Sequence, residues 1–166
     1  MRRASEVAFR LLVAAAFVMS VSSVADSESA RVGKRAPNFE LDGLDGQTFR
    51  LKAFAGRPLF VNVFATWCPP CRLEMPLVER TLRRYRNRIA FLAVDAQEPS
   101  TVIRPYLRSV GVHARVGVDS GQLVASYGAR SIPESVFIDR DGIVRAIVRG
   151  PIDSETLVRD LALIAR

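Results

Sequence analysis

The sequence predicts an α/β domain in which a central mixed β-sheet is flanked by helices and preceded by an N-terminal β-hairpin extension. Three observations carry this reading. Strand-like and amphipathic helical runs alternate through the middle of the chain, the pattern of a layered sheet with crossover helices. Two short strand-like runs with a turn-rich link come before them. Two further strand-like runs joined by a tight turn precede a last helix, and such a hairpin makes the sheet mixed. The chain has 166 residues, 49% of them hydrophobic, which suits one domain with a proper core.

The N-terminus reads as a targeting signal rather than as fold. Arg2, Arg3 and Arg10 make a basic start, and residues 11–25 form an apolar and small-residue run. Ser23, Val24 and Ala25 supply small residues where a signal peptidase cuts, and Asp26, Ser27, Glu28 and Ser29 turn polar at once. The run is short for a stable span, which needs about 20 apolar residues. Residues 1–25 are therefore expected to be a signal peptide cleaved after Ala25, with an uncleaved N-terminal membrane anchor as the alternative. No cysteine lies in this region to carry a lipid. Residues 26–35 are expected to be a flexible leader and 36–166 the domain. The basic start and the lack of transit-peptide marks point to bacterial-type export, to the periplasm or the outer face of the cytoplasmic membrane.

Within the domain, 38–41 and 47–51 are short strand-like runs, and Asp42, Gly43, Leu44, Asp45 and Gly46 between them form a hairpin turn. Residues 59–64 are apolar, β-branched and aromatic apart from Asn62, as in a strand buried on both faces. The helix after the cysteines carries Met75, Val78, Leu82 and Tyr85 at helical spacing, with Pro76 expected to kink it. Residues 89–94 read as a second buried strand. Residues 100–110 read as a helix with Ser100 as candidate N-cap. A short strand at 115–118 and a short helix at 122–127, ended by Gly128, follow. Residues 134–139 and 143–148 read as antiparallel strands joined at Arg140, Asp141 and Gly142. Residues 153–165 form a final amphipathic helix capped by Asp153 or Ser154. There is no internal repeat and no low-complexity tract.

The formal charge is +7, mostly from scattered arginines, with a cluster at Arg80, Arg83, Arg84, Arg86 and Arg88. Such a cluster can attract nucleic acid or an acidic membrane surface. No nucleic-acid-binding signature accompanies it, and a solvated helix face accounts for it, so no nucleic-acid partner is expected.

Chemistry concentrates at the two cysteines, Cys68 and Cys71. A secreted scaffold held together by disulfides carries more cysteines, spread along the chain. Spacing i, i+3 at the start of a helix puts both sulfurs on one face, close enough to bond. The helix N-terminus offers free N–H groups and partial positive charge, which stabilise a thiolate on Cys68 and make it nucleophilic. Cys71, one turn in, is expected to be more buried. Pro69 suits a first helical turn, where its missing N–H is no loss. The pattern supports a cycle in which Cys68 attacks a partner disulfide and Cys71 resolves the mixed disulfide. Two alternatives stay open at this level. An inert bridge would constrain the unfolded chain very little across so few residues. A metal site, such as a copper carrier assisted by His113, would have few ligands beyond the two thiolates. No metal and no organic cofactor is expected.

The segment Phe64-Ala65-Thr66-Trp67-Cys68-Pro69-Pro70-Cys71-Arg72-Leu73-Glu74-Met75-Pro76 resembles the active-site segment of the TlpA/ResA/DsbE branch of thioredoxin-like thiol:disulfide oxidoreductases. Ala36-Pro37-Asn38-Phe39-Glu40-Leu41 resembles that branch's domain opening, and Gly56-Arg57-Pro58 its lead into the central strand. Ser131-Ile132-Pro133-Glu134-Ser135-Val136-Phe137-Ile138-Asp139, with Gly142, resembles its cis-proline segment. The resemblance covers residues 36–166 and implies a thioredoxin-like fold. It implies that Pro133 is the cis-proline packed against the redox pair, with the backbone of Ile132 free to pair with a client segment. Trp67 matches the tryptophan beside the reactive sulfur. Glu74 matches the acidic residue beneath the site, which would accept the Cys71 proton and whose burial would raise its pKa.

Asn62 stands where thioredoxin carries a buried aspartate, which shifts the proton-handling role toward Glu74. Glu134 is similar to the residue after the cis-proline in members serving cytochrome c maturation. The resemblance implies disulfide-bearing client proteins and a membrane thiol donor as partners, and a reductase working outside the cytoplasm. A general oxidant with the same centre is the alternative. Peroxiredoxins share part of this architecture but carry a threonine three residues before the peroxidatic cysteine. Position 65 is Ala and position 68 is Cys, so peroxidase activity is not expected.

Overall fold

The structure, a computed structural model, describes residues 29–85 and 87–166. The expected signal peptide or anchor at 1–25 lies outside the described residues, as do residues 26–28 and Arg86. The elements are β1 (Glu40–Gly43), β2 (Thr48–Arg50), β3 (Leu59–Phe64), α1 (Pro69–Leu82), β4 (Ala90–Ala96), α2 (Ser100–Val110), β5 (Arg115–Asp119), α3 (Gln122–Tyr127), β6 (Glu134–Ile138), β7 (Val144–Arg149) and α4 (Ser154–Ile164). A 3-10 turn at Leu51–Phe54 joins β2 to β3. All the strands lie in one sheet, in the order β2-β1-β5-β4-β3-β6-β7.

The connections explain that order. β3, β4 and β5 are mutually parallel, with α1 crossing from β3 to β4 and α2 from β4 to β5, while β6 and β7 close one edge as an antiparallel hairpin. The β1–β2 hairpin extends the other edge by pairing antiparallel with β5. Close docking there depends on Gly117: a Cβ at that position would come within 2.9 Å of Leu41 Cδ1.

β3 is buried along its whole length, and its alternation divides the core. Leu59, Val61 and Val63 face one side, where they pack with Phe39, Phe54, Leu123 and Tyr127. Phe60 and Phe64 face the other side, toward residues of α1, α2 and α4. Asn62 shares that second face by the same alternation, which brings a polar side chain under α1. Phe60 lies between Phe91 and Phe137, with ring centroids 5.4 Å and 4.7 Å away.

The expected elements form, with local differences. α1 runs on through Pro76, which removes one N–H from the helical ladder, and ends at Leu82, so Tyr85 lies beyond it. Ser100 is the first residue of α2 rather than its cap; Pro99 holds the cap position and supplies no side-chain bond. Asp153 caps α4 by accepting the Thr156 N–H at 2.8 Å. Packing extends N-terminal of Ala36. Ala30 is buried and its N–H donates to the Ser126 carbonyl at 2.9 Å, while Gly33 and Lys34 exchange backbone bonds with Val144.

Phe60→Ala removes a ring with no exposed surface from between two others. It should lower the unfolding free energy by about 3–5 kcal/mol, read as a lower urea midpoint at an unchanged m-value.

Candidate active site

β3 delivers the chain into α1 through a short link, residues 65–68. Cys68 holds the N-cap position of α1 with an extended backbone, and its Sγ accepts the Cys71 N–H at 3.2 Å. That bond is the one a thiolate needs at a helix N-terminus, where the first N–H groups have no helical partner. Cys68 and Cys71 are joined as a disulfide. Cys68 is 3% exposed and Cys71 is fully buried, so any approach to the pair comes through Cys68.

The wall facing Cys68 is the loop before β6. The Ile132–Pro133 peptide is cis, and the Ile132 carbonyl oxygen lies 3.8 Å from Cys68 Sγ. Pro133 is buried and Ile132 half-buried. Trp67, 67% exposed, stands beside the pair in sequence, and Leu73 on α1 is likewise an exposed large apolar side chain.

Beneath the pair lies Glu74, almost wholly buried. Its Oε1 accepts the Asn62 Nδ2–H at 2.9 Å and its Oε2 accepts the Ile152 backbone N–H at 2.8 Å. Asn62 Nδ2 also donates to Ser135 Oγ at 3.1 Å. Burial pushes the Glu74 carboxyl up from its ordinary value, while the Asn62 and Ile152 donors hold it down. Glu134 is also fully buried. Its carboxylate meets the Arg149 guanidinium at 3.3 Å and accepts no hydrogen bond among the described residues. Burial pushes it up, against the opposing pull of Arg149.

A second acidic group flanks the link from the β4 side. Glu98 accepts the Thr66 N–H at 2.5 Å on Oε2 and the Thr66 hydroxyl at 2.7 Å on Oε1. Asp95, fully buried at the end of β4, accepts the Glu98 N–H at 2.8 Å. Burial pushes the Asp95 carboxyl up to about 7; the Glu98 N–H holds it down, while the Glu98 carboxylate adds to the rise through side-chain contact and like charge.

The structure thus brings Cys68, Cys71, Trp67, Ile132, Pro133 and Glu74 into one neighbourhood. Four contributors were not singled out from sequence: Ser135, the Ile152 N–H, Asp95 and Glu98. An acid closing an apolar strand was the available signal for Asp95. Nothing local marks the Ile152 N–H, since a backbone donor is placed by tertiary contact alone. His113 lies exposed in the loop entering β5, at the opposite end of the parallel strands from Cys68. Among the described residues, no cluster of three or more His, Cys, Asp or Glu side chains could hold a metal ion.

A seven-stranded mixed sheet, a cysteine pair opening a helix and a cis-proline wall define a thioredoxin-like thiol:disulfide oxidoreductase. A family model for the AhpC/TSA family matches residues 32–147. The chain is 33% identical over 146 residues to the thiol-disulfide oxidoreductase ResA of Bacillus thuringiensis (strain Al Hakam), covering 87% of this chain and 84% of that one. It is 29% identical over 154 residues to ResA of Halalkalibacterium halodurans, covering 92% and 88%. A crystal structure of a thiol:disulfide interchange protein DsbE from Chlorobium tepidum superposes with a TM-score of 0.76 at 26% identity, covering 83% of this chain and 100% of that one. The chain belongs to the AhpC/TSA family of thioredoxin-like proteins, in the branch that holds ResA and DsbE.

Glu74 binds its proton more tightly in the folded than in the unfolded chain. Its ionisation therefore costs stability as pH rises from the unfolded value through the folded one. Asn62→Val removes a donor that holds the carboxyl down. The Glu74 titration, followed by carbon NMR of the carboxyl, should move to still higher pH; no movement, or movement downward, would show that Asn62 does not stabilise the ionised form.

Proposed function

We propose that the chain is exported and reduces disulfides in client proteins outside the cytoplasm. The observation that carries this reading is the cysteine pair at the helix N-terminus, with Cys68 facing the Ile132 carbonyl and Glu74 buried below. In the proposed cycle the Cys68 thiolate attacks a client disulfide. The client S–S bond breaks, one client thiolate leaves, and a mixed disulfide forms. Glu74 accepts the Cys71 proton, and Cys71 then attacks the Cys68 sulfur. The second client thiolate is released and the Cys68–Cys71 disulfide remains, with two electrons delivered to the client. A membrane thiol donor restores the dithiol.

Trp67, Ile132 and Pro133 form the client-binding edge, where the Ile132 backbone can pair with an extended client segment. Thioredoxin-like relatives named ResA and DsbE support the exchange chemistry, and oxidised cysteines awaiting cytochrome c maturation fit as clients. Export rests on the basic, apolar and small-residue order of residues 1–25. No helix among the described residues is long and apolar enough to cross a membrane, so any anchoring would fall to that segment.

Cys71→Ser should trap a mixed disulfide between Cys68 and a client in intact cells, recoverable under non-reducing conditions and lost in the double variant Cys68→Ser, Cys71→Ser. No adduct in cells that hold intact Cys68 would count against the cycle. Equilibration of the purified protein against a glutathione series fixes the direction: a reducing midpoint is expected, and a strongly oxidising one would make the protein an oxidant. Glu74→Gln, which keeps a side-chain acceptor for the Ile152 N–H, should slow the resolving step about 100-fold. It should also remove the acid limb of its pH profile. An unchanged profile would take Glu74 out of the proton path.

A further inference from the structure

We infer that Glu98 is a positioning residue for the redox pair: its carboxylate grips Thr66 by both backbone N–H and hydroxyl, and so fixes the loop that presents Cys68. The inference rests on the Cys68–Cys71 exchange itself and holds for either direction of electron flow.

The sheet makes the grip feasible. β3 and β4 are parallel neighbours that end together, with Phe64 opposite Asp95. The links leaving them therefore run side by side. One carries Thr66 and then Cys68; the other carries Glu98. The reach of Glu98 is set by a tight turn. Asp95 Oδ1 accepts the Glu98 N–H at 2.8 Å and the Asp95 carbonyl accepts the Gln97 N–H at 3.2 Å. Gln97 itself adopts φ 69, a left-handed conformation in the region that favours glycine. The surrounding structure must hold such a residue in place, and residues of this kind concentrate at functional sites. Asp95 is fully buried, and its Oδ2 finds no hydrogen-bond partner among the described residues. The hydrogen bond that its Oδ1 accepts from the Glu98 N–H orients Glu98.

Thr66 is held from the other side as well. Arg72 Nη1 donates to the Thr66 carbonyl at 3.2 Å, and the Arg72 guanidinium lies 5.3 Å from the centre of the Tyr106 ring. The N–H, hydroxyl and carbonyl of Thr66 are thus all engaged. Cys68 follows two residues later, with its own N–H bonded to the Ala65 carbonyl at 3.2 Å. Freedom at Thr66 would pass directly into the Cys68 sulfur, which must meet both the Cys71 N–H and the client beside Ile132. Small displacements of reacting atoms cost large factors in rate. Bonds to a carboxylate are the stronger kind for holding such a loop.

The test uses the full chain and four variants. Glu98→Ala removes both acceptors. Glu98→Gln keeps one acceptor and adds a donor. Thr66→Val deletes the hydroxyl but keeps the N–H. Thr66→Ser keeps both donors. The readouts are exchange with a small aromatic disulfide, the pH profile of Cys68 alkylation in the reduced protein, and urea unfolding. Glu98→Ala should slow exchange about tenfold or more, with Glu98→Gln and Thr66→Val between it and the parent. Each should displace the alkylation midpoint, and Thr66→Ser should restore the rate lost in Thr66→Val.

Variants that unfold more easily yet keep the parent's exchange rate and alkylation profile would reduce Glu98 to a structural bond and overturn the proposal. If Glu98→Ala does not fold, Glu98→Gln and Thr66→Val decide by the same criteria. The alkylation profile needs no client. A parent protein that exchanges no disulfide would therefore sink the proposed function while leaving the positioning role to be read separately.

Discussion

The antiparallel register between β3 and β6 is the constraint on which the site depends. Asn62 lies opposite Ser135 and Val63 opposite Glu134. Continuing β3 beyond Phe64 leads to Cys68; continuing β6 backwards leads to Pro133 and Ile132. The two segments meet because they leave adjacent strands at the same end of the sheet. A shift of one residue would send every β3 side chain to the opposite face and take Asn62 away from α1. That register is held by the core. Val61 and Val136 pack on one face, Phe60 and Phe137 on the other, and all four are fully buried. The hydrophobic pattern of two strands thus fixes where a sulfur meets a carbonyl.

Beneath this contact the interior carries polar groups that burial makes costly unless they are paired. Glu74 is the clearest case. Each of its oxygens has one donor, from different parts of the fold: a side chain on β3 and a backbone N–H just before α4. Those two bonds tie α1, the sheet and the last helix together at a single carboxylate. They also limit how far burial raises its pKa, because both donors favour the ionised form. The result is a carboxyl displaced upward, the direction that suits the proton acceptor proposed for Cys71.

Much of this was legible from sequence. The central strand could be read because 59–64 is apolar and β-branched with a single polar interruption. The cysteine pair could be read because its chemistry is local: a strand end, a helix start and i, i+3 spacing suffice. Glu74 and Pro133 became legible through resemblance, since no local pattern says that a helix glutamate turns inward or that a loop proline is cis. The cap of α2 was misplaced by one residue because Ser100 has the right chemistry, yet Pro99 already occupies the turn into the helix. Asp95 and Glu98 were missed for a different reason. Their meaning depends on β4 lying parallel beside β3, and a sequence read element by element does not show which strands are neighbours.

That neighbourhood also explains why two acids, rather than one, flank the pair. Glu74 sits on the same helix as Cys71, so its distance from Cys71 follows from the helix and survives small movements of the sheet. Glu98 acts on the link before that helix, from a separate strand, and its position follows from the sheet alone. One group is fixed relative to the buried sulfur and the other relative to the loop that carries the accessible one. Asn62 makes this division workable. A carboxylate in its place would set a second negative charge against Glu74 in a low-dielectric interior, where like charges push one of the two toward its neutral form. The amide instead donates to Glu74 and adds no charge beside it.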